Sequence, residues 1–305
     1  MIASMVDIAW SKAAFGVKGR RWASHSRADI QWVKTYRATV RMRVAGDGPS
    51  LVMACDPPST IEAYDEIFDL LSQRFRVYLI EQPGFGFSVP DFGFDFSFEM
   101  TNHWLESLLA AIARPPYVLA LPCVIGVSAA TIARRHPDAV THLVLNQTPG
   151  WQDLQRWALK RDAKGLLRRP VVGQLALQAL KRRRVGLWYD TVMANSDLAQ
   201  RLTTCTRHAF KQGGCFCLAT GFQAYLFRST PTLEPAPQPT LVIWGGADAS
   251  HRETDHTTSA QLAQHRHTLF WSDAGHSPEL EKPAAFSAAL AEFYQEQAQS
   301  RLYAV

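Results

Sequence analysis

"YVLALPCVIGVSAATIARRHPDAVTHLVL", residues 117–145, holds two short apolar runs with a helix-patterned stretch between them. Tyr117–Leu121 and Thr141–Leu145 read as strands buried on both faces, because a strand covered on both sides needs no polar alternation. From Val124 onward small and apolar residues recur at helical spacing, and the stretch closes on Arg134-Arg135-His136, cations that suit the negative end of a helix. Two strands joined by a helical crossover run parallel. At the corner where the first strand stops and the helix begins stands Pro122-Cys123. A thiol at the first residue of a helix faces the positive end of the macrodipole, which predicts a lowered pKa and a better nucleophile.

The same alternation extends outward in both directions. "DIQWVKTY" and "RATVRMRV" read as strands closed by the turn "AGDGPS", and "SLVMAC" as a short buried strand ending at "DPPST". "IEAYDEIFDLLSQRF" is helical in pattern, "RVYLIEQ" a strand, "PGFGFSVP" a loop and "FEMTNHWLESLLAAIAR" an amphipathic helix. From Thr148 to about Pro237 the rhythm stops, and the helical patterns "WQDLQRWALKRDAKGLL", "VGQLALQALKRRR" and "SDLAQRLTTCTRHAF" follow with almost no strand signal. After the Pro-rich return linker "TLEPAPQP", alternation resumes with "TLVIWG" (strand), "TTSAQLAQH" (helix), "HTLFWSDA" (strand) and "PAAFSAALAEFYQEQAQ" (helix). The expected architecture is α/β: a mostly parallel, doubly wound sheet built from residues 1–147 and 238–305, with residues 148–237 inserted as a helical cap.

In such sheets reactive groups collect beyond the carboxyl ends of strands, where loops converge. Three candidates stand there: Cys123, Asp248 after "TLVIWGGA", and His276 after "HTLFWSDAG". A histidine near the thiol takes its proton, and a carboxylate holds that imidazole in the right tautomer. Four segments carry a resemblance to the α/β-hydrolase superfamily, from about residue 28 to residue 297: "RVYLIEQPGFGFSVP", "YVLALPCVIGVSAATIARRHPDAVTHLVL", "PTLVIWGGAD" and "WSDAGHSPELEKPAAF". The resemblance implies that fold, with a nucleophile at the elbow and an acid and a histidine following in that chain order. "GVSAA" also nominates Ser128, but counting back from "RRHPDAV" by the family's helix length puts Cys123 at the elbow, where the family usually keeps serine. A cysteine nucleophile is similar to dienelactone hydrolases and polyhydroxyalkanoate synthases within the superfamily.

Two departures from the family pattern stand out. Leu121 and Ile125 occupy the places two before and two after Cys123, where the family keeps small residues, so the tight turn needs relief elsewhere. The family's His-Gly is replaced by "CDPPST", which puts Pro57 or Pro58 where a backbone donor to the oxyanion is expected, and proline has no N–H. The N–H of Val124 remains as one donor, unless Ser59, Thr60 or a side chain supplies the other. Losing a donor costs about 100- to 1000-fold in rate.

Composition bounds the rest. With 305 residues and 47% apolar content the chain buries a large core. No stretch of about 18 apolar residues predicts a membrane span, and the first 25 residues read as a surface helix without a secretory apolar segment. Five cysteines with no framework spacing predict reduced thiols in a cytoplasm. Of the histidines outside the triad, His103, His136, His251, His256, His265 and His267 read as solvated or structural, and neither a metal nor an organic cofactor is implied. Basic charge concentrates in the cap: residues 151–235 hold 14 Lys/Arg against 5 Asp/Glu. That suits an acidic acyl carrier protein or a coenzyme A ester better than nucleic acid. The cap aromatics Trp151, Trp157, Trp188, Tyr189, Phe216 and Phe222 suggest an apolar or aromatic acyl group, with Asp56, Pro57, Trp151 and Trp188 as candidate pocket residues. The expected function is acyl hydrolysis or transfer, esterase- or thioesterase-like, through a thioacyl enzyme on Cys123. Its rivals are a non-catalytic binding protein on the same scaffold, and a lyase or cyclase in which Asp56 serves as acid or base.

Overall fold

The computed structural model describes residues 2–112 and 114–302. The strands are β1 (Ile30–Thr35), β2 (Ala38–Ala45), β3 (Ser50–Ala54), β4 (Arg76–Ile80), the two-residue β5 (Phe85–Gly86) and β6 (Val89–Pro90), β7 (Tyr117–Ala120), β8 (Val140–Asn146), the short β9 (Cys215–Phe216), β10 (Ala236–Gly245) and β11 (Ala263–Trp271). They assemble in the order β1-β2-β4-β3-β7-β8-β10-β11, with β6 also pairing β2 and β5 pairing β9 apart from the main sheet. β1 and β2 are antiparallel to their neighbours, and every pairing from β4 to β11 is parallel. The fold is therefore the mostly parallel doubly wound sheet that the alternating pattern predicts.

Alternate strand residues feed two cores, as the period of two requires. Leu51, Met53, Val118, Val144 and Leu241 face one side with Ile67, Phe68, Phe286 and Leu290 of the helices α2 (Asp65–Ser72) and α10 (Pro283–Leu302). Val52, Ala54, Leu119, Leu143 and Leu145 face the other, with Trp104, Leu105, Ile132 and Ala133 of α3 (Phe98–Ile112) and α4 (Cys123–Arg135). Between β8 and β10 the chain leaves the sheet through α5 (Trp151–Arg161), α6 (Val172–Val192), α7 (Ser196–Lys211) and α8 (Leu218–Gly221), the last continued by a π-turn at Phe222–Leu226. α9 (Pro278–Glu281) follows the histidine loop. The first helix, α1 (Ile2–His25), breaks its direction at Gly16, whose φ of 40° is open to glycine at little cost. Among the described residues no helix is long and apolar enough to cross a membrane.

Local readings of the sequence change in two places. "TTSAQLAQH" forms only a 3-10 turn over His256–Gln261, because Ala263 is captured by β10 as the start of β11. The Pro-rich return linker is already strand from Ala236, and a register shift between Ala236 and Pro239 lets two prolines stand in the ladder.

One buried cation ties the frame of the cavity together. Arg41 on β2 is fully buried and donates to Glu81 at 3.0 Å, to the Ser26 hydroxyl at 2.5 Å, to Glu62 and to the carbonyl of Ala23 at 2.9 Å. Burial raises the Glu81 carboxyl to about 7 against the pull of Arg41, whereas at Glu62 the guanidinium outweighs burial and lowers the pKa. Removing one partner of a buried ion cluster strands the others. Arg41→Met is expected to destabilise the protein by about 3–5 kcal/mol at neutral pH in urea unfolding. The deficit should shrink as pH falls, since a protonated carboxyl needs no cation.

Candidate active site

The register of the parallel strands brings their carboxyl ends level. Met53 pairs with Ala120, Ala120 with Val144, Val144 with Leu241, and Gly245 with Trp271. The loops that follow β3, β7, β10 and β11 therefore converge, carrying Asp56, Cys123, Asp248 and His276.

Cys123 is the first residue of α4 and has φ 47°, a left-handed conformation rare for a residue with a Cβ. Such strain persists where the surroundings over-determine it, and it clusters at functional sites. Leu121 and Ile125 are both buried, so the crowding that small residues normally relieve is met one place later. A Cβ on Gly126 would lie 2.5 Å from the Thr148 hydroxyl and 3.0 Å from the Leu121 carbonyl. Ser128 is fully buried in the body of α4, its hydroxyl bonded to the Tyr225 hydroxyl at 2.8 Å.

His276 donates from Nδ1 to Asp248 Oδ2 at 2.5 Å, and its Nε2 lies 3.0 Å from Asp56 Oδ2. Asp248 also accepts from Gln147 Nε2 at 2.8 Å and from the Ser250 N–H at 2.7 Å. Burial alone would raise the Asp248 carboxyl and depress the imidazole. The mutual attraction of Asp248 and His276 reverses both directions, with Asp56 adding to it at His276: Asp248 is held well below the carboxylate range and His276 well above the usual histidine value. Two carboxylates thus favour the charged form of the imidazole. Cys123 Sγ lies within 4.8 Å of its nitrogen and within its hydrogen-bonding influence. Burial nevertheless pushes the thiol up, and Asp56 and Asp248 push it further, against the lowering by His276. The lowered thiol pKa expected from the helix terminus is not the direction found: desolvation is the largest influence on Cys123 and raises it.

Three members of the site had no signal in the sequence. His251, set apart above with the structural histidines, is buried with its ring stacked on Trp157 at 5.3 Å and on His276 at 5.4 Å. Its Nδ1 meets the Thr254 hydroxyl at 3.0 Å, its Nε2 has no partner, and burial beside the charged His276 lowers its pKa to about 3. Glu279 stands behind Asp56, accepting from Tyr64 at 3.3 Å and Asn146 at 3.2 Å, and burial raises it to about 7. Gln82 lines the cavity beside Pro83. Cys123, His251 and His276 form a buried group of potential metal ligands within 4.8 Å. Both nitrogens of His276 also face carboxylates, Asp248 at 2.5 Å and Asp56 at 3.0 Å.

These groups open onto a cavity of about 610 Å3 lined by Asp56, Pro57, Pro58, Cys123, Val124 and His276 from the sheet side, and by Trp157, Trp188 and Phe222 from the helices above, with Phe216 from β9. Trp188 sets its edge on the His276 ring at 5.4 Å. Trp151 is corrected: it does not line the cavity but packs on Phe98 and Tyr225, because the first turn of α5 points it into the core. Pro57 and Pro58 leave no backbone donor there. Ser59 N–H is spent on the Asp56 carbonyl at 2.9 Å, its hydroxyl on Tyr189 at 2.8 Å, and the Thr60 hydroxyl on Glu62 at 2.6 Å. Val124 and Gln82 line the cavity wall; the Gln82 amide donates one N–H to the Cys55 carbonyl at 3.3 Å and keeps a second.

Comparison with known proteins places this geometry. The chain resembles the crystal structure of epoxide hydrolase A from Mycobacterium thermoresistibile with a TM-score of 0.73 at 16% identity, over 87% of this chain and 98% of that one. It resembles a carboxylesterase from Bacillus subtilis with a TM-score of 0.65 at 15% identity, over 96% and 99%. At such identities the likeness speaks for the fold alone. Residues 44–289, most of the chain, match the alpha/beta hydrolase family as a sequence pattern, and the chain belongs to that family.

Proposed function

We propose that the protein is an acyl hydrolase or acyltransferase, esterase- or thioesterase-like, that works through Cys123, His276 and Asp248 and passes through a thioacyl enzyme. One observation carries this reading: a strained residue at the strand-to-helix corner presents its sulfur to an imidazole whose far nitrogen is held by a buried carboxylate. Residues 148–237 are read as the cap, and their aromatic walls suit an apolar or aromatic acyl group.

The resting proton inventory dictates the order of events. With Nε2 protonated toward Asp56, His276 first gives that proton to the Asp56 carboxylate. It then takes the thiol proton as Cys123 Sγ bonds the substrate carbonyl carbon. The oxyanion is met by Val124 N–H and Gln82. Collapse expels the alcohol or thiol, which takes back a proton from His276. Water or an acceptor then attacks the thioester carbonyl as His276 takes its proton; the C–S bond breaks, the leaving thiolate recovers that proton from His276, and Asp56 returns its own to the ring. Asp248 holds the ring throughout.

A second reading rests on the same Asp56–His276 contact: a lyase or cyclase in which these two groups move a proton and the sulfur is a bystander. Intact-mass measurement after incubation with activated acyl esters separates the readings. An acyl adduct that disappears in Cys123→Ala, and whose formation slows by about 100- to 10,000-fold in His276→Ala, is expected for the nucleophile. Turnover without adduct that survives Cys123→Ala supports proton transfer, and neither adduct nor turnover supports a binding protein.

Asp56 helps to raise the His276 pKa, so the rising limb of the pH–rate profile should move to lower pH in Asp56→Asn. An unmoved limb would remove Asp56 from the proton path. Lys160, Arg161, Lys164 and Arg184 line the cavity mouth and suit the anionic handle of a coenzyme A ester or an acyl carrier protein. Added salt should depress kcat/KM for such a thioester well beyond any effect on a small neutral ester. Equal sensitivity of the two would count against an anionic carrier.

A further inference from the structure

We propose that the outer face of α1, together with the exposed side of α6, docks on an anionic lipid surface and so sets the cavity mouth against it. The proposal does not depend on the chemistry at Cys123. It starts from an inversion in α1. A water-facing helix shows its polar side and hides its apolar one. Here every exposed side chain from Ile2 to Ala14 is apolar, while Ser4, Asp7 and Ser11 are buried on the inner side. Ile2 is 71% exposed, Met5 and Trp10 48% each, and Val17 88%. The inner side is fixed in place, since Asp7 accepts from the Thr220 hydroxyl at 2.5 Å. The outward face is therefore a held feature of the fold.

α6 packs beside α1, with Gln178 and Lys181 turned toward Asp7. Its exposed side carries Val172, Leu175 and Leu187, each about half exposed. Leu187 and the neighbouring Leu180 also line the cavity, so this side of the helix runs into the mouth. Cations accompany the apolar side chains: Lys18, Arg20 and Arg21 follow the break in α1, and Arg182, Arg183 and Arg184 lie exposed on α6. None of these six forms an ion pair among the described residues.

That combination selects its occupant. Apolar side chains gain by entering the acyl boundary of a bilayer, an exposed tryptophan suits headgroup depth, and unpaired cations suit lipid phosphates. A second copy of the chain would bring the same cations against each other, so charge disfavours self-association there. An acyl substrate leaving the bilayer would meet Leu180 and Leu187 at the mouth.

Co-sedimentation of the full chain with vesicles of equal parts phosphatidylglycerol and phosphatidylcholine, beside pure phosphatidylcholine, tests this. The protein should pellet with the anionic vesicles and much less with the neutral ones. Arg182→Ala with Arg183→Ala should weaken binding by about fivefold per charge. Met5→Glu with Trp10→Glu should abolish binding while far-UV circular dichroism stays unchanged; if that variant fails to fold, the arginine pair decides. The proposal falls if the parent protein stays in solution with both vesicles, or if the Met5/Trp10 variant binds as the parent does. It also falls if the parent sediments as a dimer that this variant makes monomeric.

Discussion

Two carboxylates share one buried imidazole, and that arrangement constrains everything at the carboxyl edge of the sheet. Asp248 and Asp56 arrive on loops after β10 and β3, strands separated in the sheet by β7 and β8, and they close on opposite nitrogens of His276 at 2.5 and 3.0 Å. A buried charge persists only when it is paired and hydrogen-bonded. Asp248 is accordingly secured by Gln147 and Ser250, and the loop that carries Asp56 by the Tyr64 hydroxyl, which accepts the Asp56 backbone N–H at 2.9 Å. His251, stacked on the same cation, stays neutral because a second buried positive charge would have no partner.

The thiol follows from that balance. A helix dipole is worth about 0.3 to 2 kcal/mol, whereas removing an ion from water costs several kcal/mol. Burial therefore wins at Cys123, even with an imidazolium near it. On the proposed reading the raised thiol must lose its proton before sulfur acts, and Asp56 lies within reach of Nε2. A family that ordinarily places a backbone donor in this loop has here a carboxylate followed by two prolines, so one substitution changes both oxyanion support and proton bookkeeping.

The helices above the sheet have two unlike sides. Toward the cavity they present Trp157, Trp188 and Phe222, rigid rings that exclude water and strengthen every charge interaction on the floor. Toward solvent they carry the excess cations that make residues 151–235 the basic part of a chain whose remainder is acidic. α1 is bound to this layer through buried polar groups at Asp7 and Thr220, and the Arg41 cluster fixes its other end to the loops around the site. The first helix and the cavity are thus mechanically joined, although 98 residues or more separate α1 from the elbow.

Periodicity was enough for the mostly parallel sheet, and strand-end position for which titratable groups stand at its edge, because these depend on local pattern and on where each strand stops. The relief of the elbow at Gly126, the withdrawal of Trp151 into the core, and the arrival of His251, Glu279 and Gln82 are contacts between distant segments, and no local pattern encodes them. The protonation of the site belongs to the same class. Charge state is set by burial and by the sum of neighbours, so the sequence determined which titratable groups stand at the sheet edge, and only the tertiary structure decided in which direction burial and neighbours push each of them.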